Sequence, residues 1–382
     1  MTDPIVNFDD IRPYHDDEVA GAVQRIIADP DFIRAIIRHR LGSSASWLTH
    51  LAAPFFSWYL RRHWSGFKTV EAVQRYVAAY LDKSLKTTTA GVSCSGLEKL
   101  DNTKSYLFVS NHRDIAMDPA LVNWCLHQQG FDTARIAIGD NLLKKPCATE
   151  LMKLNKSFIV RRSAKGPREM LKALGQLSAY IGHSIQTGHN IWIAQKEGRA
   201  KDGNDATDPA ILKMFYINGK QQQLDFADYM RSLHIVPVCL SYEFDPCDSA
   251  KAYELYQLAT QGNYQKTEFE DIESIITGIV GFKGRVHVHF GAEINQAEDL
   301  QSPDTLAGAI DREIYQGYKL YPANYQAAEL QSDEDDKGAF LTRLNALPVE
   351  VQPYLRQMYA NPLKNAQAHA AAQQTSATQE SH

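Results

Sequence analysis

The sequence is 382 residues long and holds little of what marks the specialised protein classes. Cysteine is scarce: Cys94, Cys125, Cys147, Cys239 and Cys247 are odd in number and form no C-x-x-C pair. That excludes a disulfide scaffold and a spaced zinc site, and it suits reduced thiols in a cytoplasmic setting. Long apolar runs are missing too, so no membrane-spanning helix is expected. Met1 to Tyr14 alternates acidic, polar and proline residues, which gives no apolar core for a secretory signal. Excess positive charge is absent as well: the formal net charge is −5, which argues against a nucleic-acid coat. Neither a glycine-flanked serine elbow nor a glycine-rich phosphate loop is present, and no internal repeat is visible.

What is present is an ordinary globular composition, 44% hydrophobic and 22% charged. Residues 1–90 read as an N-terminal helical region. Val19, Val23, Ile26 and Ile27 recur at helical spacing after Asp16-Asp17-Glu18; Ile33, Ile36, Ile37 and Leu41 repeat the pattern, as do Val70, Val73, Val77 and Leu81. Trp47 to Leu60 is aromatic and ends on Arg61, Arg62 and His63. It reads equally as an interfacial segment and as a buried helix pair.

Residues 91–300 change rhythm. Strand-like runs stand at Tyr106–Val109, Ile136–Ile138, Phe158–Val160, Ile191–Ala194, Ile235–Leu240 and Val286–Phe290. Helical stretches lie between several of them, the clearest at 167–186. Alternation of this kind predicts an α/β fold, a layered sheet flanked by helices with at least part of the sheet parallel. Asn204 to Tyr229 reads as a polar, irregular insertion. Residues 301–362 read as a C-terminal helical extension, and 363–382, rich in Ala, Gln, Ser and Thr, as a disordered tail.

The chemistry concentrates after the strand Tyr106–Val109, in Ser110-Asn111-His112-Arg113-Asp114-Ile115-Ala116-Met117-Asp118-Pro119. A histidine leaving a strand's carboxyl end, with carboxylates two and six residues on, sits where open α/β sheets place ligands. Such an imidazole can take a proton from a hydroxyl while a carboxylate fixes its tautomer. Asp118-Pro119 equally reads as a helix cap followed by proline. Further on come Phe158 to Arg161-Arg162 at a strand end, then Glu197-Gly198-Arg199, then a strand holding Val236-Pro237-Val238. Paired guanidinium groups suit phosphate.

In this order the four blocks resemble the phospholipid and glycerol acyltransferases, the glycerol-3-phosphate and 1-acylglycerol-3-phosphate enzymes, over about residues 91–294. Ile159 to Gly166 looks especially like the glycerol-3-phosphate branch. The resemblance implies transfer of a fatty acyl group from acyl-CoA or acyl-carrier-protein thioester to glycerol-3-phosphate, lysophosphatidate or a related lipid alcohol. It implies His112 as general base with Asp118 as partner. Phe158, Arg161, Arg162, Glu197, Gly198 and Arg199 would bind the phosphorylated acceptor, and Pro237 would help shape the acyl-donor side. No metal or cofactor is implied beyond the acyl thioester co-substrate, and no nucleic-acid partner. The implied location is cytoplasmic and peripheral, on the inner face of the cell membrane.

Two features depart from that pattern. Five residues separate His112 from Asp118 where the family usually has four, so either a bulge restores the pair or Asp114 takes over as partner. The third block keeps only Glu-Gly-Arg. An alternative reading is a lipid-binding protein that keeps the fold without the chemistry. From Lys144 to Lys172 nine basic residues face two acidic ones, a local +7 that could hold phosphates. His112-Arg113-Asp114 copies the opening of a kinase catalytic loop, but proline stands at 119 where that loop needs asparagine. His287 and His289 alternate onto one strand face without a third ligand at readable spacing, which does not make a metal site.

Overall fold

A computed structural model describes residues 7–41, 46–267, 270–334 and 338–380. Elements are numbered in chain order. Helices α1 (Asp16–Ala28), α2 (Pro30–Leu41), α3 (Ser46–Trp64) and α4 (Val70–Thr88) come first. Then follow β1 (Gly91–Ser95), β2 (Leu107–Ser110), α5 (Met117–Gln128), β3 (Arg135–Gly139), α6 (Pro146–Leu154), β4 (Ser157–Val160), α7 (Pro167–Gln186) and β5 (Ile191–Ala194). Next are α8 (Pro209–Gln221), α9 (Phe226–Ser232), β6 (Ile235–Tyr242), α10 (Asp248–Gln261), α11 (Glu270–Val280) and β7 (Arg285–Phe290). The chain ends in α12 (Pro303–Gln316), α13 (Pro322–Ala327), α14 (Ala339–Asn345) and α15 (Gln352–Glu380).

The chain groups into two compact units, residues 1–80 with 135–180, and residues 81–134 with 181–382. This grouping cuts across the expected 91–300 block. In the first unit the helical periodicity holds: Val19, Val23, Ile26, Ile27, Ile33 and Ile37 are buried together with Leu60 and Leu154. The side chains of Ile36 and Leu41 lie outside the described residues. Main-chain bonds explain why 135–180 joins the first helices: Ile159 N donates to Ile11 O at 2.9 Å, and Tyr14 N to Lys153 O at 3.3 Å. β3 and β4 pair in parallel, Ile136 opposite Ser157.

In the second unit the strands run β1-β7-β6-β2-β5. β2 is parallel to both β5 and β6, β1 is parallel to β7, and only β6 with β7 is antiparallel. β2 is buried along its whole length, as a parallel strand covered on both faces must be. β7 alternates half-buried and buried residues. β1 escapes sequence reading because Gly-Val-Ser-Cys-Ser offers little apolar pattern. The C-terminal helices build their own core here, with Phe340, Leu344, Val351, Leu355 and Met358 packed on Phe244 and Ala252.

Three expectations are corrected. Residues 204–229 carry two helices: Asp208 caps α8 by accepting from Ala210 N at 2.8 Å, and Asp225 caps α9 by accepting from Asp228 N at 3.0 Å. The tail expected to be disordered from 363 continues α15 to Glu380, because an alanine-rich run extends a helix already packed through Leu355 and Tyr359. Not all thiols are reduced: Cys94 of β1 and Cys125 of α5 form a disulfide, while Cys147, Cys239 and Cys247 stay free and buried.

Candidate active site

Because β2, β5 and β6 are parallel, their carboxyl ends lie on one side of the sheet, with Ser110 in register with Ala194 and Val238. Asn111 and His112 leave β2, residues 195–199 leave β5, and Tyr242 ends β6. Asn111 fastens this edge: its amide donates to Leu240 O at 3.0 Å and accepts from Leu240 N at 2.8 Å. The asparagine of the Asn-His block thereby has a structural task.

His112 Nδ1 lies 2.8 Å from Asp118 Oδ2. The carboxylate is 0% exposed and the imidazole 15%. Asp118 is fully employed. Its Oδ2 also accepts from Arg113 N at 2.6 Å and Asp114 N at 2.9 Å, and its Oδ1 accepts from the Tyr242 hydroxyl at 2.6 Å. Burial pushes this carboxyl up, but His112, Tyr242 and the backbone donors outweigh it and hold its pKa below the ordinary carboxylate value. The indole of Trp192 on β5 meets the imidazole edge-on, centroids 5.8 Å apart.

The five-residue spacing is thus absorbed by the turn, and Asp118 is the residue at the ring. Asp114 does the helix capping expected of Asp118: its Oδ1 accepts from Ala116 N and Met117 N, both at 2.9 Å. Its carboxylate packs on Gly278 of α11, where an added Cβ would come within 2.0 Å of Oδ2. Burial, then the charge of Asp118, pushes Asp114 up to about 6.

The Glu197-Gly198-Arg199 loop runs beside this turn, since Ala200 N donates to His112 O at 2.9 Å. Gly198 has φ +78°, which a side chain would strain. Arg199 is partly buried and, among the described residues, has no hydrogen-bond or ion-pair partner. Arg113 welds the loop in place. Its guanidinium donates to Ala200 O at 3.0 Å and to Asp205 Oδ2 at 2.6 Å. Asp205 also accepts from Asn111 at 3.0 Å and, through the C-terminal extension, from the Tyr318 hydroxyl at 2.7 Å. Arg113, Asp205, Tyr242 and Tyr318 carry no sequence signal, because their partners stand up to 124 positions away.

Phe158, Arg161 and Arg162 belong to the first unit. Phe158 is a core residue packed against the ring of Tyr180 at a tilt, centroids 5.1 Å apart. Arg161 pairs with Asp10. Arg162 N donates to Asp140 at 3.1 Å. The +7 stretch is partly spent inside this unit: Lys145 pairs with Asp31 at 2.9 Å and Lys153 is buried with its ammonium on Asp9 O at 3.2 Å. Pro237 lies mid-strand in β6, buried, opposite Val109. It therefore stands in an inner strand rather than at the sheet edge where strand proline is usual. His287 and His289 bond to Ser93 and Ser95 along β1, at 2.7 to 3.0 Å. Among the described residues no group of three His, Cys, Asp or Glu side chains could hold a metal ion.

Comparison with known proteins bears on this geometry. The acyltransferase family model matches residues 91–241. A glycerol-3-phosphate acyltransferase of Colwellia psychrerythraea strain 34H is 26% identical over 239 residues, which covers 61% of this chain and 27% of that protein. The chain therefore spans about a quarter of the length of that curated relative. Among solved structures, the 1-acyl-sn-glycerophosphate (LPA) acyltransferase from Thermotoga maritima aligns with a TM-score of 0.40 and 13% identity, over 65% of this chain and 79% of that one. Residues 91–241 of this chain are thus similar to the acyltransferase family.

Proposed function

We propose that the protein is an O-acyltransferase of glycerolipid synthesis, moving a fatty acyl group from a thioester to the hydroxyl of glycerol-3-phosphate or its mono-acyl ester. The observation that carries the reading is the buried Asp118 carboxylate 2.8 Å from Nδ1 of a partly accessible imidazole. With Nδ1–H given to Asp118, the lone pair stands on Nε2. Nε2 takes the proton of the acceptor hydroxyl as its oxygen attacks the thioester carbonyl. The tetrahedral intermediate then breaks the carbon–sulfur bond, and the departing thiolate receives the proton from Nε2–H. Asp118 stays ionised and stabilises the imidazolium between those steps. No metal or cofactor enters this scheme. General-base help of this kind supplies about 10²–10⁴-fold, and positioning must supply the rest.

Arg199, without a hydrogen-bond or ion-pair partner among the described residues and in the loop bonded to His112 O, is the proposed phosphate ligand for the acceptor, with Glu197 and Gly198 shaping that loop. Coenzyme A and acyl carrier protein both fit as acyl carrier. Membrane association belongs to the same proposal: α3 exposes Phe55 and Trp58 ahead of exposed Arg61 and Arg62, the mixture that settles at a lipid interface. Among the described residues no helix is long and apolar enough to cross a membrane. The cytoplasmic assignment loses its cysteine argument at the Cys94–Cys125 disulfide. The test is thiol release from a long-chain acyl-CoA over a panel of glycerol phosphates, wild type against His112→Ala. Equal rates would favour a lipid-binding protein without catalysis.

A further inference from the structure

We propose that Lys251 is a positioning residue for the His112–Asp118 pair and acts through the peptide joining Arg113 to Asp114. This rests on the reading of that pair as the catalytic one. Lys251 lies on α10, is 2% exposed, and sends its ammonium to Arg113 O at 2.6 Å while pairing with Asp245. A buried lysine of this kind needs a reason, since burial disfavours its charge.

The reason lies in peptide geometry. Arg113 C=O and Asp114 N–H belong to one planar trans unit and point in opposite directions. Lys251 grips the carbonyl, and the N–H on the far side donates to Asp118 Oδ2 at 2.9 Å. Releasing the carbonyl lets the plane rotate and swings that donor off Asp118. The chain of charges also alternates: Asp245, Lys251, the peptide dipole, Asp118 and His112 meet positive end to negative end, which strengthens each link. Arg113 is held at its N–H by Asp118, at its C=O by Lys251 and at its guanidinium by Asp205 and Ala200 O.

Arg113 and Asp114 from the turn and Tyr242 from β6 act on Asp118 directly, while Asp245 and Cys247 beyond β6, Lys251 from α10 and Lys283 beyond α11 face Asp114 on the far side of the turn. Losing the Asp114 N–H donor leaves the Asp118 carboxylate more basic, so the pair takes up its proton at higher pH.

The test uses the full chain with labelled histidine. In Lys251→Met the titration midpoint of the pair, followed on the His112 ring by NMR, rises by about half a pH unit or more. The acid limb of kcat/KM follows it, with kcat down on the order of tenfold and the acceptor KM within about twofold. If that variant fails to fold because Asp245 is orphaned, Lys251→Met combined with Asp245→Asn keeps the net charge of the cluster and shows the same rise. A midpoint and acid limb at their wild-type positions, with stability alone reduced, overturn the proposal. A midpoint that moves in a protein without His112-dependent transfer would sink the proposed function and leave the positioning role standing.

Discussion

Replacing Asp118 by asparagine separates the charge of the site from its geometry. The carboxylate accepts four hydrogen bonds, three of them on Oδ2 from His112, Arg113 N and Asp114 N. An asparagine oxygen in that position can accept the same three. Its amide then faces the Tyr242 hydroxyl, which can rotate to accept a bond where it had donated one. Folding should therefore change little. What disappears is the negative charge proposed to stabilise the imidazolium. The expected loss is about 10²–10⁴-fold in kcat, or roughly 3–5 kcal/mol of barrier. Asp118→Ala should behave differently, leaving the buried donors of Arg113, Asp114 and Tyr242 without an acceptor at about 1–3 kcal/mol each, so that stability falls with activity. The assay is steady-state thiol release with urea unfolding of the same preparations. An asparagine variant that is as stable as wild type and turns over at the wild-type rate would refute the role given to the carboxylate.

Asp114→Asn should spare catalysis to within severalfold, because asparagine caps a helix as well as aspartate does. Its stability effect has a sign set by pH. The Asp114 carboxyl rises in the fold from an ordinary value of 3.8 to about 6. Its contribution to stability is full below the unfolded value and is lost as pH climbs through the folded one. The variant should therefore gain stability over wild type at pH 7, by on the order of 3 kcal/mol at most, and not at pH 3. A gain independent of pH would count against it. Arg199→Ala should raise the KM for a phosphorylated acceptor and leave kcat nearly unchanged, read from initial rates with varied glycerol-3-phosphate; an unchanged KM would mean that no phosphate sits there. Reducing Cys94–Cys125, which closes a sequence separation of 31, should cost about 3–4 kcal/mol of unfolding free energy, measured with and without a phosphine reductant. No difference would show the bridge to be unimportant.

Much of the strand order was legible because its signals are local. Strands β2, β3, β4, β5, β6 and β7 announce themselves as short apolar runs, and each lies within a residue or two of where the runs predict it. β1 does not, having a single strongly apolar residue among small ones. The helical tail escapes a compositional reading for a related reason: composition reports whether a segment can bury a core, and says nothing of a helix that is already nucleated upstream.

Sequence alone determined which groups stand at the carboxyl ends of the strands, because chain order and the strand pattern put His112 after β2 and Glu197-Gly198-Arg199 after β5. It left two carboxylates competing for one imidazole. Tertiary structure decided between them, since a turn held from outside by Asp205 and Lys251 presents Asp118 to the ring and turns Asp114 onto the start of α5. It also decided what braces the turn. Those partners lie 92 and 138 positions away, and no periodicity or motif spans such a distance; only packing brings them together.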